Sequence, residues 1–209
     1  MKSLFLIIAL LFIAGCNQVT AWPDGNIYYK WDDDFTDHEK EIIASAMDEW
    51  EQSTGKVTFI ETESNSKNPL KIKKTSLDSS ATIGYNSSDD NELKINIKNI
   101  TISECLHEFG HIVGLSHEHQ RWDRENYIHV NYDNLDKDGY FDYRIEGSML
   151  YDVTKLPYDY ESIMHYGQTC FGNGNGITFS VFDEQYDGNV GYFDSISILD
   201  IARVSLIYR

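Results

Sequence analysis

Between His107 and Glu118 the chain reads His107-Glu108-Phe109-Gly110-His111-Ile112-Val113-Gly114-Leu115-Ser116-His117-Glu118, and four of its seven histidines fall between His107 and His119. No other stretch limits the fold so tightly. On a helix, residues four apart differ by about 40° in direction and about 6 Å in height, so His107 and His111 point the same way and can share one metal ion. Glu108 lies beside the first of them, angled to reach a water on the metal and not the metal itself. On a continued helix His117 would stand about 15 Å along the axis and roughly 80° round, out of reach of the same ion. The helix therefore has to stop. Gly114 supplies the stop, because glycine takes the left-handed conformation that turns a chain back. Three neutral imidazoles favour zinc. Zinc so held keeps an open position, brings the pKa of its water to about 7 and polarises a carbonyl. Glu108 then acts as general base on the zinc-bound water and as acid toward the leaving group. This is an arrangement for hydrolysis.

Composition narrows the remaining choices. At 209 residues with 41% hydrophobic and 24% charged residues, the chain is long enough to bury a core and too apolar to be disordered. Its net charge of −17 argues against nucleic acid or an anionic membrane surface as the main partner. Met1-Lys2-Ser3 and the apolar run Leu4 to Ala14 have the form of an export signal, too short to span a bilayer permanently. Ile13-Ala14-Gly15-Cys16 resembles a bacterial lipobox, in which Cys16 receives a lipid. The expected division is a signal peptide over 1–16, a short tether over 17–21 and one domain over 22–209. The product would be a cell-surface or outer-membrane lipoprotein, touching the membrane only through Cys16. The alternative is cleavage after Ala21 and free secretion. Cys105 and Cys170 are then the remaining cysteines, paired or buried as thiols, and no disulfide framework is available.

Local patterns predict the elements. Asn26 to Trp31 reads as a strand after the turn Trp22-Pro23-Asp24-Gly25. Thr36-x-x-Glu39 is a capping box, and Ile42, Ile43, Ala46, Met47 and Trp50 recur with helical period up to Gly55. Val57 to Glu61, Leu70 to Lys73, Ala81 to Tyr85 and Leu93 to Ile97 read as short strands. From Tyr127 the chain is irregular until Ser195 to Tyr208, where helical spacing returns. Asn134-x-Asp136-x-Asp138-Gly139 opens like a calcium loop, but Ile145 stands where the closing glutamate belongs and Glu146 comes one residue late, so the calcium reading is set aside. Gly172-Asn173-Gly174-Asn175-Gly176 is read as a flexible turn. His119, His129 and His165 are assigned surface or structural places.

Two blocks carry a family resemblance. Glu118 after the third histidine, followed by Arg121-x-Asp123-Arg124-x-x-Tyr127-Ile128, is similar to the astacin signature within the metzincin metalloproteases. Pro157-Tyr158-Asp159-Tyr160-Glu161-Ser162-Ile163-Met164-His165-Tyr166-Gly167 resembles the Met-turn of that family. The resemblance implies an α+β, zincin-like fold: an N-terminal mixed β-sheet with two helices, one carrying the zinc ligands, then an irregular C-terminal lobe with a final helix. It implies a zinc metalloendopeptidase that hydrolyses proteins or peptides, and a monomer is expected. One catalytic zinc would sit on His107, His111 and His117, with Tyr166 as an additional, movable ligand and Met164 as the apolar floor. The Tyr166 phenol would leave the metal and hydrogen-bond the developing oxyanion. The edge around Ala81 to Tyr85 would pair with an extended substrate. Departures accompany it. Gly55 stands where the family carries a half-cystine, and the regions near Ser79–Ser80 and Asn99 lack their cysteines too. The five residues 17–21 leave no room for its inhibitory pro-segment, and an acylated Cys16 has no ammonium to offer Glu118. An inactive zinc-stabilised binding module is the competing class, and the presence of Glu108 with all three histidines speaks against it.

Overall fold

A computed structural model describes residues 19–64, 68–137, 139–147, 149–152 and 155–209. The export signal, Cys16 and Asp138 of the calcium-like segment lie outside the described residues.

The first half builds a sheet with two helices on one face. β1 (Val19–Thr20) leads into β2 (Asn26–Trp31), and α1 (Asp37–Thr54) follows. Both ends of α1 are closed as its sequence predicts. Thr36 Oγ1 accepts from the Glu39 N–H, the Glu39 carboxylate accepts from the Thr36 N–H at 2.6 Å, and Gly55 is left-handed at φ 56°. β3 (Thr58–Glu61), β4 (Leu70–Thr75), β5 (Ser80–Ala81), β6 (Tyr85–Asn86) and β7 (Asn91–Asn96) precede α2 (Ile102–Ile112). The main sheet has the order β3-β2-β4-β7-β5, parallel except for β5, which runs antiparallel along the edge of β7. Register fixes its two faces. Ile72 lies opposite Leu93 and both are buried, whereas Lys71 opposite Glu92 and Lys73 opposite Lys94 face outward.

The buried face carries the main core. Ile43, Ala46, Met47 and Trp50 of α1 meet Leu106, Phe109 and Ile112 of α2 above Ile27, Leu70, Ile72, Leu93 and Ile95. Two indoles bind this core to backbone: Trp50 Nε1–H donates to the Leu106 carbonyl at 3.0 Å, and Trp22 Nε1–H to the Ile112 carbonyl at 2.9 Å. Each satisfies a polar atom that burial would otherwise penalise.

The second half is irregular, as expected. β8 (Ile128–Val130) and β9 (Phe179–Val181) form an antiparallel pair, and a one-turn α3 (Gly139–Asp142) lies between them in sequence. α4 (Ile198–Ile207) closes the chain, with Ser197 and Asp200 forming a second capping box. A smaller core of Ile128, Val130, Leu135, Tyr143, Tyr158, Tyr160, Phe179 and Val190 holds these loops, while α4 returns to the main core through Val204 and Tyr208. Cys105 and Cys170 are both free thiols, and burial pushes the Cys105 thiol up to about 12.

One expectation needs correction. Ala81 to Tyr85 is not a single strand. Its alternation of Ala81, Ile83 and Tyr85 survives a turn at Gly84, where φ is +62°, and the segment divides into β5 on β7 and β6 on β1. The Gly84 N–H donates to the carbonyl of His111 at 2.8 Å, so the end of α2 holds this turn.

Candidate metal centre

The centre begins with how α2 ends. Thr101 caps its start, accepting from the Glu104 N–H at 3.2 Å. At the other end the Gly114 N–H donates to the carbonyl of His111 at 2.8 Å and the Leu115 N–H to that of Gly110 at 2.9 Å, with Gly114 at φ +106°. These are the paired bonds of a Schellman stop, and the chain reverses as Gly114 predicts. Leu115 to His117 then run back along the helix into a 3-10 turn, Glu118–Gln120.

The reversal brings the three histidines together. His117 Nε2 lies 3.2 Å from His107 Nε2 and 3.2 Å from His111 Nε2. A tetrahedral ion bound at about 2.0–2.1 Å requires its nitrogens to be about 3.3–3.4 Å apart, so the triangle has the size for zinc. Each ring is also turned the right way. His107 Nδ1 is 2.7 Å from the carbonyl of Ile163 and His111 Nδ1 is 2.8 Å from that of Leu115. His117 Nδ1 is 3.2 Å from Gln120 Oε1, whose amide is fixed by Nε2–H donating to the Asp142 carbonyl at 2.8 Å. Oxygen acceptors of this kind place the proton on Nδ1 and leave the Nε2 lone pair for a cation. Burial keeps all three imidazoles neutral: His107 and His117 are lowered and His111 falls to about 3, the neighbouring rings adding to the effect for the last two. Among the described residues these are the one group of histidine, cysteine and acidic side chains whose donor atoms converge in this way.

The remaining predicted residues surround the triangle. Glu108 and Tyr166 line the same cleft as the three histidines, a cavity of about 720 Å³. Glu108 Oε2 is buried with no hydrogen-bond partner among the described residues, and burial, then the charge of Glu104, pushes the carboxyl up to about 8. A buried orphan acceptor beside a metal-sized triangle fits a residue that works on a water there. The Tyr166 ring centre lies 4.5 Å from that of His117 and is stacked at 4.0 Å on His119, and burial raises its phenol. Ser80 and Ala81 of β5 form part of the cleft wall. His129 is exposed, whereas His119 and His165 are buried, and His165 joins Tyr158 Oη at 2.7 Å. Glu118 is buried too: its Oε1 accepts from Arg121 at 3.0 Å, Arg203 at 2.8 Å and the Asp159 N–H at 2.8 Å.

Met164 packs under α2, and the contact reveals a residue that motif spacing passes over. A Cβ placed on Gly110 would lie 2.3 Å from Met164 Sδ, so any larger residue would force the thioether away from its present place on the helix. A glycine inside a helix, about 1 kcal/mol worse than alanine, was the available signal. The carbonyls of Ile163 and Leu115 and the side chain of Gln120 carry no signal of their own, because any residue has a carbonyl and the partner is set by the turn.

Comparison with known proteins agrees with this geometry. The sequence matches the peptidase family described as Astacin over residues 15–209. It is similar to the zinc metalloproteinase dpy-31 of Teladorsagia circumcincta, 30% identical over 189 residues, which is 89% of this chain and 30% of that protein. It is also similar to the zinc metalloproteinase nas-8 of Steinernema carpocapsae, 26% identical over 191 residues, covering 91% and 45%. The chain thus spans less than half the length of either relative. Among solved structures, the fold is similar to high choriolytic enzyme 1, a hatching enzyme zinc-protease from Oryzias latipes, at a TM-score of 0.79 and 22% identity, covering 93% of this chain and 96% of that one. Myroilysin is a more distant likeness, at 0.57 and 20%, covering 90% and 95%.

Proposed function

The chain belongs to the astacin family of peptidases, and from that premise we propose that it is a zinc-dependent endopeptidase cleaving peptide bonds in proteins or peptides. The observation that carries this is the triangle of Nε2 atoms with every Nδ1 proton committed to an oxygen, set beside the unpartnered carboxyl oxygen of Glu108. His107, His111 and His117 would hold the ion, which when bound supplies Lewis acidity, polarising the scissile carbonyl and acidifying a water. Glu108 takes the proton from the attacking water and hands it to the leaving amine. Tyr166, stacked on His119, presents its raised phenol as a proton donor toward the oxyanion, and would be a further residue to hold the ion. Met164, buried against Gly110 of α2, would supply the apolar floor of the site. An extended substrate lies along the outer edge of β5, where Ser80 and Ala81 end the sheet among the described residues. The test is cleavage of casein by the purified protein before and after chelation, with zinc restored. Glu108→Gln should lower the rate by at least about 100-fold. Cleavage that survives chelation, or full activity of that variant, would sink the proposal.

A lipid anchor on Cys16 and export to a bacterial cell surface are proposed from the residues alone, the apolar run Leu4 to Ala14 followed by Ile13-Ala14-Gly15-Cys16. No helix of the described residues is long and apolar enough to cross a membrane. A mature N-terminus at Cys16 bearing diacylglycerol, read by mass spectrometry, is the expected result; a free N-terminus at Trp22 would replace the anchor with secretion. Sedimentation should give the mass of a monomer.

A further inference from the structure

We propose that Asp200 and Arg203, one turn apart on α4, are positioning residues for the metal centre, acting through hydrogen-bond relays on His107 and His117. The inference rests on the zinc proposal above and deepens it. Neither side chain touches a ligand, and both come from a helix more than eighty residues away from the histidine motif.

The first relay starts at the Asp200 carboxylate, which is wholly buried. Its Oδ1 accepts from Ser162 Oγ at 2.7 Å, and its Oδ2 accepts from the Ile163 N–H at 3.0 Å. Ser162 Oγ in turn accepts from the Met164 N–H at 3.0 Å. That N–H shares one peptide plane with the carbonyl of Ile163, the acceptor of the His107 Nδ1 proton at 2.7 Å. A peptide unit is rigid, so fixing its N–H fixes the direction of its C=O. Asp200 therefore sets the plane that orients the His107 imidazole. Bonds in such a chain also polarise one another, strengthening the last of them.

The second relay starts at Arg203, also buried. Its Nη2–H donates to Glu118 Oε1 at 2.8 Å, while Nη1–H donates to Asp200 Oδ1 at 3.0 Å and Asp159 Oδ2 at 3.2 Å. Glu118 directly follows His117, and its own N–H donates to the Met164 carbonyl at 3.1 Å. The side chain after the third ligand is thus clamped to α4, and its backbone to the loop that the first relay holds. Because these charges lie out of water, a shifted arrangement would leave one of them unpaired, and the set has one stable geometry. His111 stands apart: the carbonyl of Leu115, at the end of its own helix, orients it.

The experiment measures zinc affinity in the purified full chain by competition with a chelator, alongside the absorption spectrum of the cobalt-substituted protein. Outer partners of a ligand are typically worth 10–100-fold in metal affinity, so Asp200→Asn and Arg203→Met should each weaken zinc by about that factor and alter the cobalt bands. In turnover, kcat should fall more than KM changes. Arg203→Lys should recover part of the loss. Ser162→Ala, the mildest break in the first relay, carries the test if the charged variants do not fold. Val204→Ala, on the same helix and equally buried, should lower the unfolding midpoint and leave zinc affinity and cobalt spectrum as in the wild type. Zinc binding within twofold of wild type in the relay variants would overturn the inference, as would an equal loss in Val204→Ala. A wild-type protein that takes up no zinc would bring down the metal proposal instead.

Discussion

On the outer face of the sheet, Glu92 sits between Lys73 at 2.6 Å and Lys94 at 2.8 Å, with a quarter of its side chain in water. Directly after the third histidine, Glu118 sits between Arg121 at 3.0 Å and Arg203 at 2.8 Å, with 1% exposed. The distances are nearly the same and the physics is not. Hydrogen bonds from Lys73 and Lys94 bring the Glu92 carboxyl down to about 2, because water solvates whatever charge remains. Burial works against the Glu118 carboxylate and raises it, while Arg203 and Arg121 pull the other way. The carboxylates around Arg203 hold its guanidinium charged. A pair at the surface is optional; a pair in the interior binds each partner to the other's presence.

The largest effect should come from breaking the interior set. Glu118→Ala leaves Arg121 and Arg203 facing each other without their shared carboxylate, and should cost about 3–5 kcal/mol of stability by denaturant titration. A loss below about 1 kcal/mol would mean that water or Asp159 and Asp123 compensate, and the contrast between the two glutamates would collapse. Glu118→Gln keeps the shape and loses the charge, so it should fall between the two.

Glycines draw the same line between crowded and open places. Gly110→Ala pushes a methyl against Met164 Sδ and should destabilise by about 1–3 kcal/mol, with zinc content falling because the floor of the site shifts. Gly55→Ala meets nothing within 4 Å and should cost only the backbone term of a left-handed residue, about 1 kcal/mol, with zinc content unchanged. Equal zinc loss in the two would show that Met164 is not the cause.

How much of this was legible in the sequence follows the same division. β2 runs from Asn26 to Trp31 as its pattern predicts, and α1 begins and ends on Thr36 and Gly55, since caps and turns are local chemistry. The three histidines and Gly114 were legible too, because the geometry of a helix and its stop is encoded within eleven residues. Asp200 and Arg203 were not. In sequence they are an acidic and a basic residue one turn apart, the pattern of a solvated helix pair. Only the long return of α4 makes Arg203 the burial partner of Glu118, 85 positions earlier, with Asp200 bonded to the same guanidinium. Ala81 to Tyr85 looks like one strand for the opposite reason: alternation is a local signal that a glycine turn leaves intact.

Capping is the next smaller term. Thr36→Ala removes one half of the capping box at an exposed helix start and should cost about 1 kcal/mol, seen as a lowered unfolding midpoint with zinc binding and kcat unchanged. A change in kcat would tie α1 to the site more closely than its packing on α2 suggests.

The smallest effect belongs to Glu92, and its pH dependence makes it readable. Its folded pKa of about 2 lies below the ordinary value of 4.5, so the stabilisation is complete above about pH 5 and is lost as pH falls through 4.5 toward 2. Exposure and the entropy of two long lysines reduce it to about 0.5–1 kcal/mol. Glu92→Gln should therefore differ from the wild type by that amount at pH 7, converge with it near pH 2, and converge at pH 7 as well when salt reaches 1 M, where the Debye length is about 3 Å. Glu118→Ala should keep most of its deficit in the same salt, because the interior set is out of reach of mobile ions. If salt erased both differences equally, burial would not be what separates the two glutamates.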